Sequence, residues 1–460
     1  MKRFVLTGSE DVVTAKALDR LTLIPANSIL VVVRSGILSR TLPVAINSVP
    51  VTINQDMRAF VPSRAVVPRY VAWQLVANER EILDRCAKDG TTVASIEGPA
   101  LASYPFAVAP AAEQARIVDK LEELLSDLDA GVAELKVAQK KLAQYRQSLL
   151  KAAAEGRLTE AWRAQHGEPE ESGPQLLARI LHERRARWEA GQLATLESQG
   201  KSPAKGWQNK YPEPVAPSLE IAPDLPAGWT WATLSQVGWL DRGQSKHRPR
   251  NASELYGGSY PFVQTADVCE ADTYLTEASS HYSERGLAQS RLWPVDTLCI
   301  TIAAHIGRTA LLGIEACFPD SIVGFLPASD LVSVRFVEYF LRSAQQRIEE
   351  AAPATAQKNI NLEILRRVVL PLPSLIEQLE IVRVIAVSLE GVREISEGIS
   401  MGARQSTAQR KNILQAAFSG QLVPQDPNDE PASVLLARIR AERESRLAKA
   451  RKPRATKESA

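Results

Sequence analysis

The sequence predicts an α+β fold in which two small mixed α/β globules lie in tandem, each followed by a long helix, and the two helices pair as an antiparallel coiled coil. Two observations lead to this prediction. A long apolar-periodic stretch occurs twice: Glu113-Gln114 recurs as Glu377-Gln378, and Gly156 recurs as Gly420, both 264 residues further along the chain. The segments before the two stretches also share one order of apolar runs, as expected for an internal structural repeat.

The first stretch, from Pro110 to Gly156, is predicted to be a helix of about 66 Å at about 1.5 Å per residue. Its leucines recur at steps of three and four residues, which is the period of a coiled-coil seam. So narrow an apolar stripe on so long a helix cannot bury itself and requires a partner helix. The predicted helix-pairing residues of this first helix are Leu121, Leu124, Leu128, Leu135, Leu142 and Leu149.

The second stretch, which starts at Leu375, offers that partner. Its predicted helix-pairing residues are Ile385, Val392, Ile399 and Ile413, which continue the same period. A generic dimerisation stalk would explain a single helix of this kind equally well. The duplication favours pairing between the two helices of one chain.

Each globule contains short apolar runs typical of strands. In the first globule they are Leu21–Ile24, Ile29–Val33, Leu42–Ile46, Val51–Ile53 and Phe60–Pro62, and a helix is predicted over Arg69–Arg85. In the second globule, Leu298–Ile302 and Phe325–Pro327 take corresponding places. The second globule starts near Leu225 and has about 45 residues before these strands that the first globule lacks. We expect the first globule to be truncated at its N-terminus.

The segments between and after these parts are charged or rich in proline and glycine. A charged helix is predicted over Pro174–Glu189 and recurs over Ala432–Ala450, and a linker is predicted over Gly200–Pro226. The basic, polar residues after Ala450 are predicted to be disordered.

Composition excludes several classes of protein. The 460 residues carry a net charge of only +2, so nucleic-acid binding has to come from local patches. The four cysteines are scattered without a CxxC pair, which argues against a zinc site and fits a reducing compartment. No signal peptide or apolar run of membrane length occurs. These features predict a cytoplasmic protein that makes no contact with a membrane.

Several phrases together resemble the specificity subunit of type I restriction–modification systems. They are the Leu-Pro-Leu-Pro…Glu-Gln…Ile-Val phrase at Leu370–Val382, its degenerate twin at Val108–Val118, the block at Leu149–Arg163, the Leu-Leu-Ala-Arg-Ile phrase in both charged helices, and Leu225–Trp231. The resemblance covers nearly the whole chain, in the order that the family uses. The chain departs from the family in its short first globule, which lacks an opening of the Leu225–Trp231 type.

The resemblance implies a division of the chain into six parts. Residues 1–107 form a partial first target recognition domain, 108–165 the central long helix, and 166–225 a charged helix and linker. Residues 226–370 form the second target recognition domain, 371–425 the distal long helix, and 426–460 a charged helix and basic tail.

The resemblance also implies a function. Each recognition domain would read one half of a split target on double-stranded DNA, while the paired helices fix the gap and dock two methylation subunits, which restriction subunits then join. A helix pair of about 66 Å is long enough to hold two readers one to two turns of the duplex apart, at about 34–36 Å per turn. The alternative is a coiled-coil adaptor that has lost DNA recognition through the N-terminal truncation.

Candidate DNA contacts are the cationic and polar side chains that bind phosphates and base edges. The densest cluster carries four formal positive charges without an acid: Arg242, Gln244, Ser245, Lys246, His247, Arg248 and Arg250. Its glycine and proline disfavour a helix, which predicts a loop. The other candidates are Thr265, Gln357, Lys358 and Asn359 in the second globule, and Arg34, Ser35, Asn54, Gln55, Thr91 and Thr92 in the first. Ordinary turn chemistry would explain many of them as well.

No motif for catalysis is found. The sequence has no GxxxxGK[ST] phosphate loop, no Asn/Asp-Pro-Pro-Tyr stretch, and no histidine spacing suited to a metal. We therefore predict a non-catalytic subunit without a cofactor or metal. A fused restriction–methylation enzyme would require motifs that these residues lack.

Overall fold

The computed structural model of the protein describes residues 4–9, 11–88, 94–218, 223–351 and 359–451. They divide into two compact units. Unit 1 combines Met1–Ala138 with Gly398–Ala460, and unit 2 is the continuous segment Gln139–Glu397. Each unit therefore contains one globule together with part of both long helices.

Unit 1 contains a four-stranded sheet in the order β1-β3-β2-β4, in which β1 is parallel to β3 and β2 is antiparallel to both of its neighbours. The strands are β1 (Val5–Leu6), β2 (Ile29–Val32), β3 (Val44–Asn47) and β4 (Met57–Phe60), followed by the short pair β5 (Ala87–Lys88) and β6 (Ser95–Ile96). The helices are α1 (Pro68–Ala77), α2 (Glu79–Cys86) and α3 (Gly98–Ala102).

Two sequence-based predictions in unit 1 were wrong in detail. The helix predicted over Arg69–Arg85 is interrupted at Asn78, where φ is −101° and ψ is 16°. The Asn78 side chain donates to the carbonyl of Gln74 at 2.9 Å and so closes the end of α1. The strands predicted at Leu21–Ile24 and Val51–Ile53 are reduced to one bridge between Ile24 and Val51.

Unit 2 has a five-stranded sheet in the order β10-β13-β12-β14-β8. The strands are β7 (Thr230–Thr233), β8 (Gly238–Arg242), β9 (Tyr256–Phe262), β10 (Tyr274–Leu275), β11 (Ser280–Tyr282), β12 (Leu298–Thr301), β13 (Thr309–Leu312), β14 (Ile322–Pro327) and β15 (Val369–Leu372). The helices are α5 (Glu160–His166), α6 (Gly173–Ser198), α7 (Leu234–Val237), α8 (Thr265–Glu270), α9 (Glu284–Ala288), α10 (Val334–Glu350) and α11 (Leu362–Arg366).

The two sheets share four strand positions. In unit 2, β10 is parallel to β13, and β12 is antiparallel to β13 and β14, so β10-β13-β12-β14 repeats the pattern of β1-β3-β2-β4. The fifth strand, β8, pairs with the outer edge of β14. It comes from the segment that only the second repeat possesses.

The central strands of unit 2 are apolar on both faces because both faces are covered. Leu298, Cys299 and Ile300 in β12, and Val323 and Phe325 in β14, are each 0 % exposed. Complete burial of one such aliphatic or aromatic side chain contributes about 1.5–3 kcal/mol. Continuous apolar runs of this kind are what the sequence shows at these positions.

The long helices are α4 (Ala111–Ala154) and α12 (Leu375–Phe418), and a further helix, α13 (Ala432–Arg451), follows them. In unit 1, Leu121 and Leu125 of α4 share one apolar cluster with Ile413 and Ala417 of α12. In unit 2, Leu149 and Leu150 of α4 share a core with the early α12 residues Ile381 and Ile385.

The start of α4 packs with the end of α12 in unit 1, and the end of α4 packs with the start of α12 in unit 2, so the helices run antiparallel. The predicted fold of mixed globules with paired long helices is confirmed. Of the predicted helix-pairing residues, Leu121, Leu149, Ile385 and Val392 are buried, and Leu124, Leu128, Leu135, Leu142, Ile399 and Ile413 are half-buried. A glycine with positive φ lies two residues after the end of each helix, 71° at Gly156 and 76° at Gly420, as is common at helix C-termini.

A buried glutamine attaches each long helix to its own globule. Gln114 accepts a hydrogen bond from the Val67 backbone N–H at 3.0 Å and donates to the Ala109 carbonyl at 2.8 Å. Gln378 accepts from the Ser333 N–H at 2.9 Å and donates to the Pro373 carbonyl at 3.2 Å. The repeated Glu-Gln pair therefore contains a residue that fixes where the helix begins relative to the sheet.

In unit 2 the neighbouring Glu377 is also buried and receives donors from two distant segments. Its carboxylate accepts from Thr159 Oγ1 at 2.7 Å, Arg163 Nη1 at 2.5 Å and Trp229 Nε1 at 2.8 Å. Thr159 and Arg163 follow α4, whereas Trp229 precedes β7. Glu377 thus joins the end of one long helix and the first strand of the globule to the start of the other long helix.

The predicted linker is more ordered than its composition indicates. Trp207 and Tyr211 pack against Trp188 of α6, with ring centroids 5.8 and 5.4 Å apart. Beyond them, the Val215 N–H donates to Ser235 Oγ at 3.0 Å. The linker is therefore folded onto unit 2 as far as Val215.

Candidate nucleic-acid interface

Four strands of unit 2 have their termini at one end of the sheet. β8 ends at Arg242 and β12 ends at Thr301, whereas β13 begins at Thr309 and β14 begins at Ile322. Because β12 is antiparallel to β13 and β14, and β8 is antiparallel to β14, all four termini lie together. We name this region the loop end of unit 2; it comprises residues 242–251, 302–308, 319–321 and Asn359.

The basic loop, residues 242–251, starts at the last residue of β8, and residues 243–251 form neither helix nor strand, as predicted from their glycine and proline. Arg242 and Lys246 are exposed, and no acid among the described residues forms an ion pair with either. Arg250, in contrast, is held by both carboxylate oxygens of Asp320 at 2.9 Å. Arg248 donates to the carbonyls of Ser245 and His247 at 2.6 and 2.8 Å. The loop therefore offers Arg242 and Lys246 as its free cations.

Other members of the basic loop hold its shape. Ser245 is only 6 % exposed, and its Oγ lies 3.4 Å from the Tyr282 hydroxyl. The His247 N–H donates to Gln289 Oε1 at 3.0 Å, and the carbonyl of Gln244 accepts from Ser290 Oγ at 2.7 Å. Burial makes Ser245 an anchor of the loop, and the DNA contact at this residue stays a prediction.

The remaining predicted residues of the second globule also lie near the loop end. Thr265 begins α8, and its Oγ1 lies 3.3 Å from Ser321 Oγ, just before β14. Asn359 forms a bridge with Ala303, just after β12. Gln357 and Lys358 lie outside the described residues.

A tight turn after β12 adds two further side chains to the loop end. His305 and Arg308 are exposed, and Ala304 between β12 and these residues has φ of +62°, a left-handed conformation unusual for alanine. Thr301 holds the turn, since its Oγ1 accepts from the Arg308 N–H at 3.0 Å and donates to the His305 carbonyl. The positive φ of Ala304 marks this turn, and it can be seen only in the folded backbone and not in the sequence.

The polar candidates of the first globule gather at the equivalent end of its sheet. Arg34 and Ser35 follow β2, and Asn54 and Gln55 precede β4, which is antiparallel to β2. Ser35 Oγ accepts from the Ile37 N–H at 3.4 Å, and Asn54 Oδ1 accepts from the Asp56 N–H at 3.2 Å. These bonds are ordinary turn chemistry, while Arg34 and Gln55 are exposed. Thr91 and Thr92 lie outside the described residues.

A buried charged group on α10 lies in the globule of unit 2. Glu338 is 0 % exposed and stands 2.7 Å from Arg342 and 3.6 Å from Arg335. Desolvation raises the pKa of Glu338, and the two arginines oppose that rise. Arg342 also donates to the carbonyl of Asp272, just before β10. The group therefore connects α10 to the strand at one edge of the sheet.

The described residues contain no group of three histidine, cysteine, aspartate or glutamate side chains placed to hold a metal. Burial raises the pKa values of the Cys269, Cys299 and Cys317 thiols, which disfavours reactive thiolates. None of the described helices has both the length and the apolar character that crossing a membrane requires.

The fold and these surfaces define a class of protein: tandem mixed α/β modules, each joined to paired long helices and each with polar side chains at one end of its sheet. The model of the family "Type I restriction modification DNA specificity domain" matches residues 9–136 and 226–399. The chain belongs to this family of type I restriction–modification specificity subunits.

Individual relatives agree with this assignment. The chain is 38 % identical over 155 residues to the Escherichia coli type I restriction enzyme EcoR124I/EcoR124II specificity subunit, covering 32 % of this chain and 38 % of that relative. It is 23 % identical over 393 residues to the Escherichia coli EcoDI specificity subunit, covering 81 % of this chain and 76 % of that relative.

A solved structure has a similar fold. A chain from a study of complex assembly and conformational transition of the type I R-M system superposes with a TM-score of 0.54 at 16 % identity, over 87 % of this chain and 83 % of that chain. The low identity limits this likeness to the fold.

Proposed function

We propose that this chain is the DNA-reading subunit of a type I restriction–modification complex, in which each repeat reads one half of a bipartite target in double-stranded DNA. The observation that carries the proposal is the loop end of unit 2. There, the antiparallel pairing of β8, β14, β12 and β13 brings two separate loops to the same end of the sheet. These loops carry Arg242, Lys246, His305 and Arg308. Such side chains bind phosphates and base edges.

The same arrangement in unit 1 supports a two-part target. Arg34 and Gln55 are exposed at the corresponding end of a sheet with the same strand order. We propose that repeat one reads a half-site with these residues and that repeat two reads the other half-site with its loop end.

The chain would take no part in the chemistry of methylation or cleavage. We propose that two methylation subunits dock on the helical scaffold, that restriction subunits join this core, and that both activities reside in those partners. The names of the relatives, specificity subunits of type I restriction enzymes, support this division of labour.

The test is methylome sequencing of a host that expresses the chain with its neighbouring methylation subunit, against the same host without the chain. We expect a split methylated motif with a fixed gap that appears only with the chain. A third host carries Arg242→Ala with Lys246→Ala, and the half-site read by unit 2 should lose definition there. No chain-dependent methylation would refute the proposal, and a motif with one specified half would refute reading by both repeats.

A further inference from the structure

The loop end of unit 2 contains a single acidic side chain among its cations. It carries one carboxylate, that of Asp320, and five arginine or lysine side chains: Arg242, Lys246, Arg248, Arg250 and Arg308. A carboxylate repels phosphates and therefore opposes binding to the DNA backbone. An acid at this place in a DNA-reading surface requires a reason other than attraction to the backbone.

The shape of the basic loop does not depend on this acid. The loop is already attached through the Ser245 side chain, the His247 N–H and the Gln244 carbonyl. The ion pair of Arg250 with Asp320 is exposed, since 48 % and 42 % of the two side chains are accessible. Exposed ion pairs contribute little to stability. A structural role therefore does not account for the pair.

The pair is nevertheless held in one place from both ends of the loop. Gly243 lies so close to the turn before β14 that no room remains for a Cβ beside the Phe318 carbonyl. This close approach sets the start of the basic loop directly against the turn that carries Asp320. Near the other end of the loop, the Tyr256 hydroxyl donates to the Arg250 carbonyl at 2.8 Å. The two charged side chains thus meet on a fixed backbone.

The pair leaves hydrogen-bond donors free beside hydrogen-bond acceptors. Arg250 Nη2 donates to both carboxylate oxygens of Asp320 at 2.9 Å, and no described residue accepts from Nη1 or Nε. The carboxylate keeps lone pairs for further donors, because it has about four such sites. A guanidinium that is already held by a partner loses little further freedom when it binds a planar group.

This order of donors and acceptors is complementary to one of the four base-pair orientations. In the major groove, guanine presents two acceptors, N7 and O6, and cytosine presents the N4 donor. We infer that Arg250 and Asp320 together read one G·C base pair of the half-site bound by unit 2. Arg250 donates to guanine, and Asp320 accepts from cytosine. An A·T pair would set its N6 donor against the guanidinium and its O4 acceptor against the carboxylate.

The inference rests on the proposed function, since it names what one part of the loop end reads. It also separates two kinds of cation in the basic loop. Arg250 and Asp320 are neutral as a pair, so their contact with DNA depends on base identity more than on phosphate charge. Arg242 and Lys246 form no ion pair with an acid among the described residues and keep their full charge for the DNA backbone.

The first experiment is methylome sequencing of hosts that express variants of the chain with its neighbouring methylation subunit. The half-site of unit 2 is the one that loses definition with Arg242→Ala and Lys246→Ala. We expect a G·C pair in that half-site, and Arg250→Ala should remove definition at this base pair alone. Arg291→Ala is the matched control, because Arg291 forms a similarly exposed pair with Asp241 at 3.0 Å outside the loop end, and it should leave the motif unaltered.

A binding experiment provides a second measurement that does not depend on methylation. Competition anisotropy with the assembled complex compares the target duplex with one in which the G·C pair is replaced by A·T. The unaltered and Arg291→Ala complexes should prefer G·C by about 5- to 150-fold, the range for a bidentate base contact. Arg250→Ala should abolish this preference, and Asp320→Ala should reduce it.

One further variant distinguishes a lost contact from a misfolded chain. Arg250→Gln replaces the guanidinium by an amide, which pairs with adenine N6 and N7, so the preference should shift towards the A·T duplex. Misfolding would weaken both duplexes alike and cannot produce such a shift.

The outcomes separate this inference from the proposed function. A unit 2 half-site without a G·C pair overturns the inference and leaves the proposed function standing. The same holds if the Arg250→Ala and Arg250→Gln complexes keep the full preference, or if Arg291→Ala loses it equally. A host that shows no chain-dependent motif with the unaltered chain would instead refute the proposed function itself.

Discussion

Replacing Glu377 with alanine should destabilise unit 2 strongly. The substitution removes one acceptor from three donors, and two of these belong to buried residues: Thr159 is 1 % exposed and Trp229 is 7 % exposed. The third donor belongs to Arg163, whose side chain is 20 % exposed beside a carboxylate that is 4 % exposed.

The expected size follows from these partners. Each buried donor left unpaired costs about 1–3 kcal/mol, and removing one member of a buried ion pair costs about 3–5 kcal/mol. The costs overlap because one carboxylate serves all three donors, so we expect a loss of about 4 kcal/mol. At about 2–3 kcal/mol per M, this lowers the urea midpoint of unit 2 by about 1.3–2 M.

The assay is pulse-labelled hydrogen exchange of the full chain along a urea series, because it reports unit 1 and unit 2 separately. The repeat provides a matched control in Glu113→Ala, which removes a buried glutamate at the equivalent position that has no donor among the described residues. We expect that change to shift the midpoint of unit 1 by less than about 0.5 M. A Glu377→Ala chain that unfolds with the unaltered one, or an equal loss at Glu113, would refute the reasoning.

Three other predictions concern DNA binding, helix pairing and pH. Arg242→Ala with Lys246→Ala should weaken DNA binding by the assembled complex and lower the slope of log K against log[salt] by about 2, at about 0.9 per phosphate contact, measured by anisotropy over a salt series. Leu128→Asp should cost about 2–3 kcal/mol by placing a charge in the half-buried helix seam, measured by thermal unfolding. The pKa of Glu338 is raised in the folded protein, so unit 2 should lose stability as pH rises above about 4.5, where the carboxyl of the unfolded chain ionises. The measurement is the urea midpoint of unit 2 over a pH series, and Glu338→Gln should remove the part of the pH dependence that this residue causes.

Each of these predictions has a clear contrary result. Arg250→Ala is the control for the first, since Asp320 already neutralises that arginine. If Arg250→Ala lowered the salt slope equally, pairing with an acid would not distinguish the cations that contact DNA phosphates from those that do not. Ala130→Asp, exposed on the same helix, is the control for the second, and equal melting of the two variants would mean that the seam is not buried as described. For the third, parallel pH profiles for Glu338→Gln and the unaltered chain would contradict the raised pKa.

The long helices and the repeat were predictable because they depend on period and spacing, which are properties of the chain alone. The seam leucines recur at coiled-coil steps, and the equal spacing of the Glu-Gln pairs and terminal glycines requires no knowledge of contacts. The break at Asn78 was not predictable, because the surrounding residues form helix on both sides and only a side-chain bond to Gln74 ends α1 there.

The sequence predicts which residue types make up the candidate site, but not which of their charges are neutralised by acids from elsewhere in the fold. Four cations in the basic loop look equivalent in sequence. Asp320 lies 70 residues from Arg250 along the chain, and only strand pairing of β8 with β14 brings the two together. The same holds for Glu377, whose donors lie 148 to 218 residues away. Charge neutralisation between distant segments has no local sequence signal.

The division of the chain into units has a consequence for how the protein is made. Unit 2 is continuous, whereas unit 1 needs both Met1–Ala138 and Gly398–Ala460. At about 5–20 residues per second, the ribosome takes several seconds to add the last roughly 60 residues after unit 2 is complete. Until the end of α12 has been made, Leu121 and Leu125 lack the Ala417 side of their cluster. Unit 2 can therefore fold during synthesis, while the first-made globule waits with exposed apolar surface for the end of α12.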